Sequence, residues 1–264
     1  MTAFTEPSAH PRTSLLSGVN SAFIRHELRR RFNRQTTIFT LLLPAVLYLA
    51  LFRTSPDGAT LPHGNFAAWM MIGLAVYGAA TAATSSAATI SVERSAGWMR
   101  TIALSPLTPP GYILVKVLVS VVMAGVPVII VGGLGVVTGA RADAEVWVVS
   151  LLVAWIGAAV FAALGIGMGL ALKPDVVMHM PGLTMTALAF LGGLFIPLSG
   201  VMLDIARFTP MYGVATLARY ALTDGYSFSG EHSSLAGAVF NVVAWFAGFS
   251  FFAIRRFAKS TGRQ

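Results

Sequence analysis

The sequence predicts an all-α, polytopic membrane protein with six transmembrane helices, and two observations lead to this prediction. First, 56% of its 264 residues are hydrophobic and only 11% are charged, whereas average proteins have about 45–50% apolar and about 25% charged residues. Second, long uncharged runs recur, and several exceed the roughly 20 residues that a helix needs to cross a bilayer. The chain has no Cys, so neither disulfides nor thiolate metal sites are expected.

The N-terminal part is predicted to stay outside the bilayer. Residues 1–14 are polar and contain two prolines, which predicts a disordered cytoplasmic tail and no cleaved secretory peptide. Residues 15–34 then become helical and basic. The apolar stripe of this segment and the arginines beside it are Ile24, Leu28, Phe32, Arg25 and Arg29. The pattern predicts an interfacial helix with snorkelling Arg side chains, or a positive cluster that only sets topology; the two interpretations are compatible.

Six apolar stretches follow and supply the predicted spans. They are residues 36–52, 66–91, 111–140, 146–172, 183–195 and 233–254. The second stretch ends in the small-residue run AATAATSSAAT, which predicts close helix packing. The alternative interpretation of this run is a substrate-lining role for Thr81, Thr84 or Ser85.

The chain around the fifth span is predicted to be broken. The hydrophobic stretch 176–203 is too long for one helix, and Pro197 and Gly200 interrupt it. The amphipathic segment that follows, up to Asp224, contains Pro210. Irregular backbone at membrane depth is tolerated only where protein buries it or where it lines a cavity. The pattern therefore predicts a re-entrant segment of short helices near the outer face, before the last span.

Charge placement predicts the orientation of the spans. With both termini inside, the inner segments hold 14 of the 18 Lys and Arg residues, and the outer segments hold 6 of the 10 Asp and Glu residues. This positive-inside bias predicts a multi-pass protein of the inner or plasma membrane with both termini cytoplasmic. It also explains the net charge of +8 without a nucleic-acid partner.

A polar island, residues 92–116, separates the second and third spans. It carries charged residues at both ends and is punctuated by Pro106, Pro109 and Pro110. A short surface helix is predicted over residues 95–104. Glu93 and Arg94 are interpreted either as interfacial charges on a solvated face or as residues that bond to another protein.

The island resembles the cytoplasmic loop of ABC-type exporter permeases of the type-two, six-span group, which includes daunorubicin-resistance-like and polysaccharide-export membrane subunits. The residues that carry the resemblance are Glu93, Arg94, Gly97, Ser105, Pro106, Leu107 and Lys116. Ser95 stands where many relatives have a second Glu. The resemblance continues at the GLFIPLSG segment, which in the family precedes a re-entrant pair.

The resemblance implies how such a chain would work. Residues 15–254 would form an exporter transmembrane domain, and residues 255–264 a basic cytoplasmic tail. Two copies of a separate ABC ATPase would bind ATP and Mg²⁺, while this chain would hold no cofactor. A second permease, as a homodimer or close paralogue, would complete a cleft in the lipid bilayer. The residues expected to couple the chain to the ATPase are Glu93, Arg94, Gly97, Trp98, Met99 and Ile102.

The sequence does not predict a catalytic or ATP-binding site within this chain. It has no G-x-x-x-x-G-K-[ST], H-E-x-x-H or G-x-S-x-G pattern, and no ionisable residue in the middle of its continuous apolar runs. The favoured function is the outward movement of an amphipathic drug, antibiotic or lipid-like molecule, with antibiotic resistance as a possible role. A secondary transporter, which should have matched broken helices in two halves, and a non-transporting scaffold are the alternatives.

Overall fold

A computed structural model describes residues 21–32, 35–52, 60–97, 109–228 and 230–261. The regular structure in these ranges is helical except for one antiparallel hairpin, β1 (Thr60–Leu61) with β2 (Gly64–Asn65). The helices are α1 (Ser21–Phe32), α2 (Gln35–Phe52), α3 (Phe66–Ala88), α4 (Ile90–Ser95), α5 (Pro109–Thr138), α6 (Ala144–Ala171), α7 (Pro174–Val177), α8 (Met180–Leu191), α9 (Val201–Ala206), α10 (Pro210–Thr223) and α11 (Leu235–Thr261). The predicted tail 1–14 lies outside the described residues, as does nearly all of the predicted surface helix 95–104.

Helix α3 forms the centre of the bundle. Every residue from Ala67 to Thr84 is buried, and α3 packs mainly against α5 and α6. The helix begins after Asn65, whose side-chain oxygen accepts a hydrogen bond from the backbone N–H of Ala68 at 3.0 Å. Because neighbours cover it on all sides, α3 has no polar face and its sequence is apolar throughout.

Small residues let the neighbouring helices approach α3 closely. A Cβ added at Gly165 of α6 would lie 2.4 Å from the carbonyl oxygen of Thr84. A Cβ added at Gly78 of α3 would lie 2.8 Å from Pro127 Cβ and 2.9 Å from Pro44 Cγ. The Thr84 hydroxyl bonds to backbone oxygens rather than facing a pathway. These contacts support the packing interpretation of the small-residue run.

Four helical segments among the described residues are long and apolar enough to cross a membrane. They are Phe66–Ser95, Gly111–Thr138, Ala144–Ala171 and Leu235–Phe257, and two shorter apolar helices span Leu42–Leu51 and Met180–Leu191. The chain is therefore a multi-pass membrane protein. The six apolar helices coincide with the six predicted stretches, although the two short ones do not by themselves establish six complete spans.

The fifth apolar stretch is broken near the predicted place. Helix α8 ends at Leu191, and the backbone N–H of Leu194 then bonds back to the Ala189 carbonyl oxygen at 2.9 Å. Gly193 makes this ending possible, because its φ of +69° suits a residue without a Cβ. Two short helices follow, α9 after Gly200 and α10 beginning at Pro210.

The hairpin lies in the α2–α3 connection and is bound to two other connections at the same end of the bundle. The His63 ring bonds to Asp143 Oδ2 at 2.9 Å through Nδ1, and to Asp224 Oδ2 at 3.1 Å through Nε2. The hydrogen bond that Asp143 accepts from the ring is the main reason that the pKa of His63 is raised, and Asp224 adds to the effect. His63 thereby ties the hairpin to the α5–α6 connection and to the end of α10.

Helix α11 lies at the edge of the bundle. Many of its large apolar side chains are exposed, including Phe240, Phe251 and Ile254, as expected for a helix that faces lipid. The helix continues to Thr261, so most of the basic segment predicted from residue 255 extends the last helix.

Candidate functional site

The candidate site lies at the end of the bundle where the polar island begins. Helix α4 continues the direction of α3 and carries Glu93 and Arg94 in adjacent positions. Helix α5 begins at Pro109, after the part of the island that lies outside the described residues. Proline suits the first turn of a helix because the N–H that it lacks has no helical partner there. Tyr112 and Lys116 then follow one turn apart on the same face of α5.

Three charged side chains meet inside the protein at this end. Lys116 Nζ lies 2.6 Å from Glu93 Oε1 and 2.6 Å from Glu27 Oε1. The Tyr112 hydroxyl donates a hydrogen bond to Glu93 Oε2. Exposure is only 1% for Lys116, 2% for Glu93 and 3% for Glu27. This group, called here the ion cluster, therefore connects α1, α4 and α5 out of contact with water.

Burial makes the ion cluster sensitive to the loss of any member. Charges taken out of water need partners, because removing one side of a buried pair typically costs about 3–5 kcal/mol. Such a cluster adds little net stability compared with apolar packing. It does fix which side chains must meet, and so it sets the position of α1 and α4 relative to α5.

Arg94 points away from the ion cluster and closes the end of α6. Its Nη1 donates to the Leu170 carbonyl oxygen at 2.6 Å and its Nη2 to that of Leu172 at 3.3 Å. The Ser91 hydroxyl donates to the same Leu172 oxygen at 2.8 Å. The last carbonyl groups of a helix lack helical partners and carry partial negative charge, so an arginine is well suited to this position.

Helix α1 lies against the bundle through its apolar stripe. Ile24 and Leu28 are partly buried and pack on a small cluster that includes Val115 and Val119 of α5. Arg25 and Arg29 are exposed. The stripe thus contacts protein, and Glu27 on the same helix reaches Lys116. The predicted location of this helix in the headgroup layer remains a prediction, and the side chain of Phe32 lies outside the described part of the chain.

The apolar helices around this charged junction match a known family of membrane transporters. The profile of the ABC-2 type transporter matches residues 20–223, a range that contains the ion cluster, the island and both short helices α9 and α10. The chain belongs to the ABC-2 type transporter family. A comparison with curated proteins finds no match.

Membership confirms the resemblance that the sequence carries. The chain contains an ABC-2 transporter membrane domain, which is a transport component without catalytic activity of its own. ABC-2 membrane domains work with an ABC ATPase in general. Within the described ranges, no group of three His, Cys, Asp or Glu residues could hold a metal ion.

The remaining predicted site residues fall into two groups. Gly97 is exposed and has a φ of +73°, while Trp98, Met99 and Ile102 lie outside the described residues. Glu93 and Arg94 are engaged within the chain, so a direct bond from either to an ATPase stays a prediction that competes with these internal contacts. In the predicted re-entrant segment, Pro197, Gly200 and Pro210 all lie at helix breaks or starts.

Sequence reasoning did not pair Glu27 with Lys116. Their 89-residue separation hides the contact, and the sequence pattern places Lys116 only at the start of the third span. One signal was available: Lys116 follows Tyr112 by four residues, so both lie on one helix face just inside an apolar run. An ionisable residue in that position usually has a partner.

Proposed function

We propose that this chain is the membrane-spanning subunit of an ABC exporter, which moves an amphipathic small molecule outward using ATP that a separate ATPase subunit hydrolyses. Family membership supports the permease role, and the ion cluster is the single observation that supports coupling through the island. Two ATPases and a second permease, identical or closely related, complete the transporter. The ATPases bind ATP and Mg²⁺. The substrate is a drug, antibiotic or lipid-like molecule.

The ATPase contact is made by the tip of the island, residues 95–108, with Trp98, Met99 and Ile102 as apolar anchors. Large apolar side chains dominate the energies of many protein interfaces. Gly97 lets the backbone turn out of α4 in a conformation that other residues seldom adopt. Glu93 and Arg94 hold the base of this tip.

Movement of the tip passes into the bundle along two routes. Glu93 is bound to Lys116 and, through it, to Glu27, so displacement of α4 moves α5 and α1 together. Arg94 is bound to the end of α6, so the same displacement moves that helix. Helix α3 continues from α4 toward the other end of the bundle, over about 36 Å at 1.5 Å per residue from Glu93 to Trp69.

The orientation follows from the charge distribution. Both termini, the island and α7 face the cytoplasm, and α9 and α10 lie near the outer face as a re-entrant segment that caps the pathway. In this orientation α1 lies at the cytoplasmic surface, with Arg25 and Arg29 toward lipid headgroups and the ATPase.

Co-purification followed by an activity assay tests the proposal. The tagged full-length chain is expressed in its own host, and the ABC ATPase that it retains is identified. Both are reconstituted in liposomes, and ATP hydrolysis and uptake of candidate amphiphiles are measured in inside-out orientation. We expect a bound ATPase whose activity rises with a transported amphiphile.

Two other outcomes correspond to the alternative functions. Uptake that follows a proton or sodium gradient and ignores ATP would make the chain a secondary transporter. The lack of any ATPase partner and of any uptake would leave a membrane scaffold.

A further inference from the structure

Arg219 is a buried cation at the opposite end of α3 from Glu93. It lies on α10 and is only 7% exposed. Its guanidinium stacks on the Trp69 ring at 3.5 Å from the ring centre. Its Nη1 donates to the Gly193 carbonyl oxygen at 3.0 Å, its Nη2 to that of Leu194 at 2.8 Å, and its Nε to that of Trp69 at 3.3 Å.

No carboxylate balances this charge in the described part of the chain. The ion pairs found there leave Arg219 without an acidic partner within 4.0 Å. The acids of the α9 and α10–α11 segments have other partners. Arg207 binds Asp204 at 3.1 Å and Glu231 at 2.6 Å, and His63 binds Asp224 at 3.1 Å. Buried charges are ordinarily paired or neutralised. The burial of Arg219 without a carboxylate partner therefore needs a physical explanation.

A structural role explains only part of the arrangement. The Gly193 and Leu194 carbonyl groups lie just beyond the end of α8, where partial negative charge favours a cation. Three hydrogen bonds use three of the five N–H groups of a guanidinium. Carbonyl dipoles and the Trp69 ring stabilise the cation, but they carry no net charge to neutralise it.

A cavity adjoins Arg219, and six of the residues that line it carry hydroxyl groups. Its volume is about 70 Å³, which is room for about five water molecules at the 10–15 Å³ that each requires. The hydroxyl-bearing residues of its wall are Tyr212, Thr216, Thr223, Tyr226, Ser227 and Ser233. Among these, Tyr212 and Ser233 bond to each other, and Thr223 donates to the Arg219 carbonyl oxygen. No Asp or Glu is among the described residues that line it. The space suits a small charged group rather than a whole drug-sized molecule.

The geometry points to a binding site for an oxyanion. We propose that this cavity takes the carboxylate or phosphate headgroup of an anionic amphiphile, with Arg219 as the charge partner and the hydroxyl groups as additional donors. Arginine hydrogen bonds to such anions are among the strongest in proteins. The headgroup would supply the negative charge that the described residues lining the cavity lack. If the amphiphile is the transported molecule, this inference rests on the proposed export function and narrows its substrate class.

A binding experiment tests the site without ATP or a partner protein, so its failure would not bear on export. The full-length chain is placed in phosphatidylcholine nanodiscs, and binding of radiolabelled dodecanoate and dodecyl phosphate is measured. Dodecyltrimethylammonium serves as the cationic counterpart with the same chain. We expect both anions to bind and the cation not to compete. Equal competition by the cation would overturn the proposal.

Variants locate the binding. We expect Arg219→Gln to weaken anion binding by about tenfold or more, as loss of a charged hydrogen-bonding partner does. Arg141→Gln is the control, because this exposed arginine does not line the cavity, and the variant should bind normally. Unchanged binding in Arg219→Gln would overturn the proposal. If that variant fails to fold, Thr216→Val with Ser233→Ala decides: weaker dodecyl phosphate binding supports the site, and unchanged binding overturns it.

A last arm identifies the source of the headgroup. Phosphatidylglycerol is added to the nanodiscs, and dodecanoate binding is measured again. Competition would identify an anionic membrane phospholipid as the occupant, whereas undiminished binding would exclude phosphatidylglycerol and favour a single-chain amphiphile. Either result supports an oxyanion site at Arg219.

Discussion

Glu93 and Arg94 are neighbours in sequence, yet their side chains bind two different long helices. Glu93 meets Lys116 of α5, and Arg94 meets the Leu170 carbonyl oxygen at the end of α6. One short helix therefore links the polar island to two long helices. Both side chains already have partners within the chain. We therefore expect Glu93 and Arg94 to act by holding α4 against α5 and α6 rather than by binding another protein directly.

The first prediction concerns coupling. We expect Glu93→Ala and Arg94→Ala each to abolish transport and its stimulation of ATP hydrolysis, because each disconnects α4 from a long helix. Loss of a buried charge partner costs about 3–5 kcal/mol, so membrane insertion and dimer formation are checked by detergent solubilisation and size-exclusion chromatography. Glu145→Gln, an exposed carboxylate in the first turn of α6, is the control and should transport normally. Normal export by both alanine variants would reduce Glu93 and Arg94 to charges that set topology.

The second prediction concerns the cation of the ion cluster. Lys116→Met leaves Glu27 and Glu93 facing each other without the ammonium group, and we expect thermal unfolding in detergent to occur at a markedly lower temperature, with a loss of about 3–5 kcal/mol. The triple variant Lys116→Met, Glu27→Gln and Glu93→Gln removes all three charges and should recover much of this loss. A triple variant less stable than Lys116→Met would contradict this account of the cluster.

Much of the helical layout could be predicted because it depends on local signals. Apolar runs give the positions of long helices, and Pro197, Gly200 and Pro210 predict the interruption between α8 and α10, because the backbone preferences of Pro and Gly are local. Single prolines are weaker signals, since Pro44 and Pro127 lie inside α2 and α5. The small-residue run in α3 likewise predicts close packing, and Gly165 of α6 packs directly against this run. The membrane class and the family follow from the same local features.

The side-chain partnerships could not be predicted in this way. Glu27 and Lys116 are 89 residues apart, and Trp69 and Arg219 are 150 residues apart. From the distribution of charges along the sequence, Lys116 and Arg219 only indicate topology. Their partners depend on how the helices pack around α3, and the charge pattern carries no information on that packing. The central position of α3 is equally hidden, since several helices have similar apolar compositions.

The third prediction concerns the contact between α3 and α6. A methyl group at Gly165 would lie 2.4 Å from the backbone oxygen of Thr84, and a backbone oxygen inside a helix cannot move aside. We expect Gly165→Ala to destabilise the protein by about 1–3 kcal/mol, measured by thermal unfolding in detergent. Gly133 of α5 is exposed with no atom within 4 Å of an added Cβ, so Gly133→Ala should be neutral or slightly stabilising. Equal effects of the two changes would contradict the close approach.

The fourth prediction concerns pH. The hydrogen bond to Asp143 raises the pKa of His63, so folding favours the protonated ring. This stabilisation is fully present below the unfolded pKa of about 6.5 and is lost as pH rises through the raised folded value. We expect the wild type to melt at a higher temperature than His63→Gln near about pH 6, and the difference to shrink by about pH 9. A constant difference between the wild type and His63→Gln across this pH range would contradict the mechanism.

The last prediction concerns orientation. The chain has no Cys, so single cysteines can be introduced without a background of native thiols. Ser95, where the island begins, and Ala144, at the start of α6, are both exposed and lie at opposite ends of the bundle. The charge asymmetry predicts that Ser95→Cys faces the cytoplasm and Ala144→Cys the outside. In intact cells, a membrane-impermeant maleimide should label only Ala144→Cys, and Ser95→Cys should react after the membrane is permeabilised. The reverse pattern would invert the protein and place the island out of reach of any cytoplasmic ATPase. Labelling of both from outside would rule out the single crossing by α5 that separates the two positions.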